Sequence, residues 1–234
     1  MTVLLVLFTM ILFLGLDHFV QKRRVAASQP AYQEAAPGQR LRGALAGFPG
    51  GVSLTTNHTW MKNNPDGTTT IGLDELLGRL VGAVESVSLP RTGFTPAAAG
   101  IGFRNGSRVL QLTSPVAGEV VETNPEVAKD PSLLVRDPYG KGWLMRIAPR
   151  PDAAARAREY VVDRPLEWLQ EQVALVRDFL ALNSAREAAP VLQEGGLPSE
   201  GALQQFDENV WKEFGRTFTS LHKWDDVAAG ESRS

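Results

Sequence analysis

The 234-residue chain contains no cysteine. That absence removes disulfides, thiolate metal sites, iron–sulfur ligation and cysteine nucleophiles together. Histidine is nearly as scarce. His18, His58 and His222 fall in three separate segments, and no His/Asp/Glu cluster has metal-ligand spacing. No Gly-Lys-Ser/Thr follows a Gly-rich patch, which excludes a phosphate loop. No basic block runs through the body and the net charge is −2, so nucleic acid is not an expected partner. Lysine is missing from the whole interval between Lys62 and Lys129. What remains is ordinary for a folded chain, 43% apolar and 21% charged residues, enough to bury a core.

The N-terminus has a long hydrophobic run. MTVLLVLFTMILFLGL is broken only by Thr2, Thr9 and Gly15 before Asp17 and His18. A helix continued through Val20 is about 30 Å long, the hydrocarbon thickness of a bilayer. Positive charge follows the run, at Lys22, Arg23 and Arg24, and no small-residue cleavage site closes it. A cleaved leader has its charge first. The pattern predicts a single transmembrane helix over residues 1–21. The trailing charges place the C-terminal body in the cytoplasm, on a cytoplasmic (inner) membrane. His18 is expected to touch headgroups and water. The sharper alternative makes it a ligand to a macrocycle metal, haem or a chlorophyll, of a neighbouring subunit. Residues 22–51, rich in Ala, Gly, Gln and Pro, read as a linker.

From residue 52 to 149 short aliphatic runs alternate with turn signals: NNPDG, LPRTG, RNGS, SPVAG, TNPEV and RDPYGKG. Many short strands with such punctuation predict a small sandwich or barrel. Gly82–Pro90 also resembles Gly118–Pro125: a Gly, β-branched residues around a Glu, then a Pro turn. Two similar halves packed face to face would make a flattened barrel.

Five segments in this region resemble, in order, the H protein of the glycine cleavage system, a lipoyl/biotinyl-class domain. They are Asn57-His58-Thr59-Trp60; Asp66 through Leu73, ending Ile-Gly-Leu; Leu77-Gly78 through Leu89-Pro90 and Gly93; Ser114-Pro115-Val116-Ala117-Gly118-Glu119 through Asn124; and Asp137-Pro138-Tyr139-Gly140-Lys141-Gly142-Trp143-Leu144. The resemblance implies a mainly β, lipoyl-domain-like flattened β-barrel (barrel-sandwich hybrid). It also places His58 in the domain's own structural pattern. In that family a hairpin lysine, eight residues before the Pro of Ser-Pro-Val, carries lipoate. Counting back from Pro115 reaches Ser107, within Arg104-Asn105-Gly106-Ser107-Arg108. Arg108 cannot substitute, because a guanidinium stays protonated and delocalised where acylation needs a free amine. The resemblance therefore implies a degenerate lipoyl site, with no bound cofactor. Asn105-Gly106 reads instead as a hairpin turn signal. Ser107 and Ser114 have no evident base beside them, so no catalytic residue, metal site or enzyme activity is expected.

Residues 150–234 predict a C-terminal helical extension. Asp163 is placed to cap a helix with Pro165 in its first turn. Leu166, Leu169, Val173, Val176 and Leu180, widened by Trp168, Leu175 and Phe179, form its apolar stripe. GGLPSEG breaks it at Gly195–Gly201, and a second helix is expected over 202–223 with Trp211 on its apolar face. Trp168, Trp211 and Trp224 are expected to pack on the β domain; the alternative is a partner site. Together these features predict a non-catalytic, single-span accessory or scaffold subunit of a membrane complex. A respiratory or photosynthetic electron-transfer assembly is the expected host, by analogy alone. The alternative is a membrane-tethered carrier or regulatory module that engages lipoyl-dependent enzymes.

Overall fold

The computed structural model describes residues 49–94, 100–187 and 197–223. Among these residues no helix is long and apolar enough to cross a membrane. The expected span over 1–21, His18, most of the linker and Trp224 lie outside them.

Two antiparallel sheets form the frame. The larger contains β1 (Val52–Leu54), β2 (Thr59–Asn63), β3 (Thr69–Leu73), β8 (Trp143–Pro149) and β7 (Gly118–Thr123), side by side in that order. The smaller contains β4 (Ser86–Ser88), β5 (Gly100–Asn105) and β6 (Arg108–Thr113). The similar segments Gly82–Pro90 and Gly118–Pro125 thus contribute to different sheets. The connection leaving β4 is bonded to β7: Gly93 N–H donates to Val120 O, and Val120 N–H donates to Phe94 O.

Three short helices that strand-and-turn patterning does not predict sit within this frame. Helix α1 (Glu75–Val81) starts at Asp74, whose side chain accepts from Leu77 N. Its buried Leu76, Leu77, Leu80 and Val81 face the core. The TNPEV stretch, read as a turn, instead opens helix α2 (Pro125–Lys129). Asn124 caps it and Pro125 takes the first helical position, where a missing N–H costs nothing. Helix α3 (Leu133–Arg136) follows, then α4 (Ala153–Arg158) after β8.

The extension begins at α5 (Pro165–Glu187). Arg164, not Asp163, directly precedes the first helical residue, and its carbonyl accepts from Trp168 N. Pro165 holds the first helical position because its fixed φ suits the start of the helix. The buried stripe is Trp168, Leu169, Val173, Val176 and Leu180. Leu166 and Leu175, expected to belong to it, stand 42% and 53% exposed. The expected second helix is two elements, a 3-10 turn (Ala202–Gln205) and α6 (Glu208–Phe218), split where Asp207 turns extended to cap α6. Phe179 of α5 meets Phe214 and Phe218 of α6 edge-on at 5.7 and 5.6 Å, while the latter two stack at 4.7 Å. Edge-to-face and offset arrangements suit the aromatic quadrupoles. Trp168 and Trp211 join the same buried cluster as the sheet residues Leu54, Ile71, Phe103 and Leu110. The extension therefore packs on the β frame and shares its core.

Candidate functional site

The β5–β6 hairpin holds the position singled out in the sequence. Its register pairs Asn105 with Arg108, so the turn is centred on Gly106 and Ser107, one residue later than the Asn-Gly signal suggested. Gly106 has φ 61, and glycine at the first central position suits a tight hairpin of this hand. The tip is exposed at Gly106 and Ser107, yet its backbone is tied down. Gly106 N–H donates to Glu85 Oε2 at 3.0 Å, and Asn105 Nδ2 donates to Ala83 O at 3.3 Å. Arg108 Nη1 donates to Gln204 O at 2.5 Å.

Gln204 belongs to the extension and faces the other way as well. Its Nε2 donates to Val81 O at 2.9 Å and to Ala83 O at 2.6 Å. Gly201 N–H donates to Arg79 O at 2.8 Å, and Arg79 Nε donates to Pro198 O at 3.0 Å. One short stretch, Pro198–Gln204, thus laces together the end of α1, the loop leading to β4 and the hairpin. The hairpin itself carries no lysine. Lys129 ends α2, and Lys141 lies in the loop before β8. Ser114 is buried in a local turn, accepting from Val116 N and donating to Val116 O.

A second polar cluster lies in the β1–β2 loop, Thr55–Thr59, buried although every residue in it is polar. Thr55 and Thr59 hydroxyls both reach Asn57 Oδ1 at 2.9 Å, and Asn57 Nδ2 donates to Thr113 O of β6 at 2.8 Å. Thr56 N–H donates to Tyr160 O at 3.0 Å, and His222 N–H donates to Thr56 Oγ1 at 3.3 Å. His222 therefore meets the His58 loop through its backbone, a contact that sequence distance concealed. His58 itself is 1% exposed and adopts φ 61. Its Nδ1 lies 2.7 Å from Asp74 Oδ2. A carboxylate only accepts, so Nδ1 carries the proton. The ring lies under Trp168 with centroids 4.8 Å apart. These partners make His58 a structural histidine, joining the loop, the cap of α1 and the extension.

A family model described as "Glycine cleavage H-protein" matches residues 52–164. The Streptomyces avermitilis glycine cleavage system H protein is 36% identical over 113 residues, covering 47% of this chain and 90% of that protein. The Chromobacterium violaceum H protein is 31% identical over 126 residues, covering 49% of this chain and 98% of its own. The chain belongs to the glycine cleavage H-protein family. A solved H protein from Mycobacterium marinum is 30% identical, covers 43% of this chain and 85% of its own, and aligns with a TM-score of 0.40.

The H-protein match runs past residue 149 to include α4 and the bridge between Thr55 and Val161. It stops where α5 begins. The residues that bury His58 and lace the hairpin, Trp168 and Gln204, lie beyond it. Sequence reasoning had no signal for Gln204, an isolated polar residue in a short apolar stretch. Trp168 was visible as an aromatic anchor, but its target was not.

Proposed function

We propose that this H-protein family member is a non-carrier subunit, its domain serving as a docking or capping module in a membrane assembly. The observation that carries the reading is the hairpin tip. Gly106-Ser107 occupies the position where the family resemblance expects a lipoyl-lysine, and no lysine lies between Lys62 and Lys129. A hydroxyl is no substitute for an amine in forming the lipoyl amide. The tip is also laced, through Arg108 and Gln204, to an extension that lies beyond the family match. A swinging arm needs an unencumbered base, whereas this one is braced.

The apolar run over residues 1–21 and the charges at Lys22–Arg24 support a single-span anchor with the body in the cytoplasm. Mild-detergent purification of the full chain from its native membrane tests the scaffold role. A stoichiometric membrane complex is expected, and the absorbance of that complex tests for an electron-transfer host carrying haem or chlorophyll. Recovery with soluble lipoyl-dependent enzymes alone would instead favour the regulatory alternative. Intact mass tests the chemistry directly: a shift fitting lipoate between Gly93 and Asn124 would overturn the non-carrier reading.

A further inference from the structure

We propose that the open groove between β6 and α6, about 300 Å³ in volume, binds a small anionic ligand through a carboxylate or phosphate group. The inference starts from the edge of the small sheet. The hairpin closes on the Asn105–Arg108 pair, so Phe103–Leu110 and Ile101–Leu112 are the other pairs that exchange ladder bonds. Val109, Gln111 and Thr113 then turn their N–H and C=O groups outward, and all three line the groove.

The carbonyls on that edge are partly used, the Thr219 proton being shared between Gln111 O and Gly215 O. Thr113 O accepts from Asn57 Nδ2 at 2.8 Å, and the Thr219 hydroxyl lies 3.0 Å from Gln111 O. The outward N–H groups of Val109, Gln111 and Thr113 have no acceptor among the described residues. Across the groove, α6 presents Lys212 and Arg216 one turn apart, both exposed. Lys212 holds Glu208 at 2.6 Å in a surface pair of the weak, exchangeable kind. Arg216 has no carboxylate partner among the described residues. Buried Leu110 and Trp211 supply an apolar wall, which strengthens charge–donor interactions beside it.

The groove is therefore rich in donors and poor in free acceptors. An extended peptide adding to β6 would need alternating carbonyls, and the one at Thr113 is already taken. An oxyanion needs only donors, and charge-assisted bonds from N–H and guanidinium groups are the strong ones. The volume also suits a small molecule better than a polymer.

The test uses the full chain, nitrogen-15 labelled, in a non-ionic detergent micelle. Inorganic phosphate and succinate are titrated separately, with chloride as the ionic-strength control. Saturable shifts of the Val109, Gln111 and Thr113 amides are expected, with affinity at least about tenfold weaker in the Lys212→Ala/Arg216→Ala chain. Both side chains are exposed, so that variant keeps its fold, and an unchanged amide spectrum elsewhere checks it. Parallel nanodiscs of phosphatidylglycerol or phosphatidylcholine separate sources: shifts only with the former identify a lipid headgroup, and shifts only with the free anions identify a soluble ligand. Amides that stay still under every probe, follow chloride equally, or respond undiminished in the double variant overturn the proposal.

Discussion

His58 is buried and partnered on one ring nitrogen and still has one atom unserved. Its Nδ1 is committed to Asp74, while Nε2 is buried with no partner among the described residues. A lone buried acceptor costs about 1–3 kcal/mol, and left-handed backbone at a non-glycine residue adds strain. The burial of Trp168 against the ring offsets these costs. Trp168→Ala is expected to destabilise the chain by about 3–5 kcal/mol, as large aromatic truncations do. It should also open Nε2 to solvent. Denaturant unfolding of the full chain in micelles reads the first effect, and reaction of His58 with diethyl pyrocarbonate reads the second. A variant that loses stability while His58 stays unreactive would show that something other than Trp168 shields it.

At the scale of elements, the seam between α1 and the extension is set by backbone proximity. Gly82, the C-cap of α1, has φ 64, and a Cβ there would meet Gly201 Cα at 2.6 Å. Gly106 has nearly the same φ, 61, but a Cβ there meets nothing within 4 Å. The two positions differ in what a Cβ would meet. Gly106→Ala should cost only the left-handed penalty, about 1–2 kcal/mol. Gly82 has ψ −146, outside the left-handed helical region and essentially restricted to glycine, so Gly82→Ala should add overpacking to a backbone strain of its own and cost about 2–5 kcal/mol in all. The second variant should also accelerate proteolysis of the extension, because the clash falls where Pro198–Gln204 docks. Equal stability losses at the two glycines would mean that the seam yields without cost.

Across the whole molecule, the core joins the family domain to its extension, so the two are expected to unfold together. One pH effect bears on this frame. Tyr139 lies partly buried beside Trp60, with ring centroids 6.1 Å apart, and its hydroxyl accepts from Glu75 N at 3.4 Å. Burial, and secondarily the nearby Asp74 carboxylate, push its phenol well above the usual tyrosine range. The unfolded chain therefore loses this proton first, near pH 10, and above that pH the folded state binds more protons than the unfolded. Stability from this residue is complete below about pH 10 and declines as pH rises past it. Tyr139→Phe should flatten the difference in unfolding free energy measured between about pH 9 and pH 11. An identical alkaline slope in both chains would refute the assignment.

Much of this architecture was legible in order and spacing. Local turn chemistry is written in residue type, so the hairpins and the family pattern from Asn57 to Leu144 could be read directly. The absence of lysine between Lys62 and Lys129 is likewise a matter of composition, and no packing can alter it. The short helices were harder, because Asp74 and Asn124 are turn formers and N-caps alike, and only the following residues' burial decides between the two. The exposure of Leu175 was hidden for a related reason: helical periodicity defines faces, and the partner's shape decides how wide a face is covered. Tertiary structure alone decided that Trp168 lands on His58, that Gln204 braces the hairpin, and that Asn57 takes the Thr113 carbonyl of β6. The hydrogen bonds that record the last two span 96 and 56 residues of chain. Sequence encodes the groups that can meet at such distances, but which of them do meet is settled by how two sheets and two helices share one core.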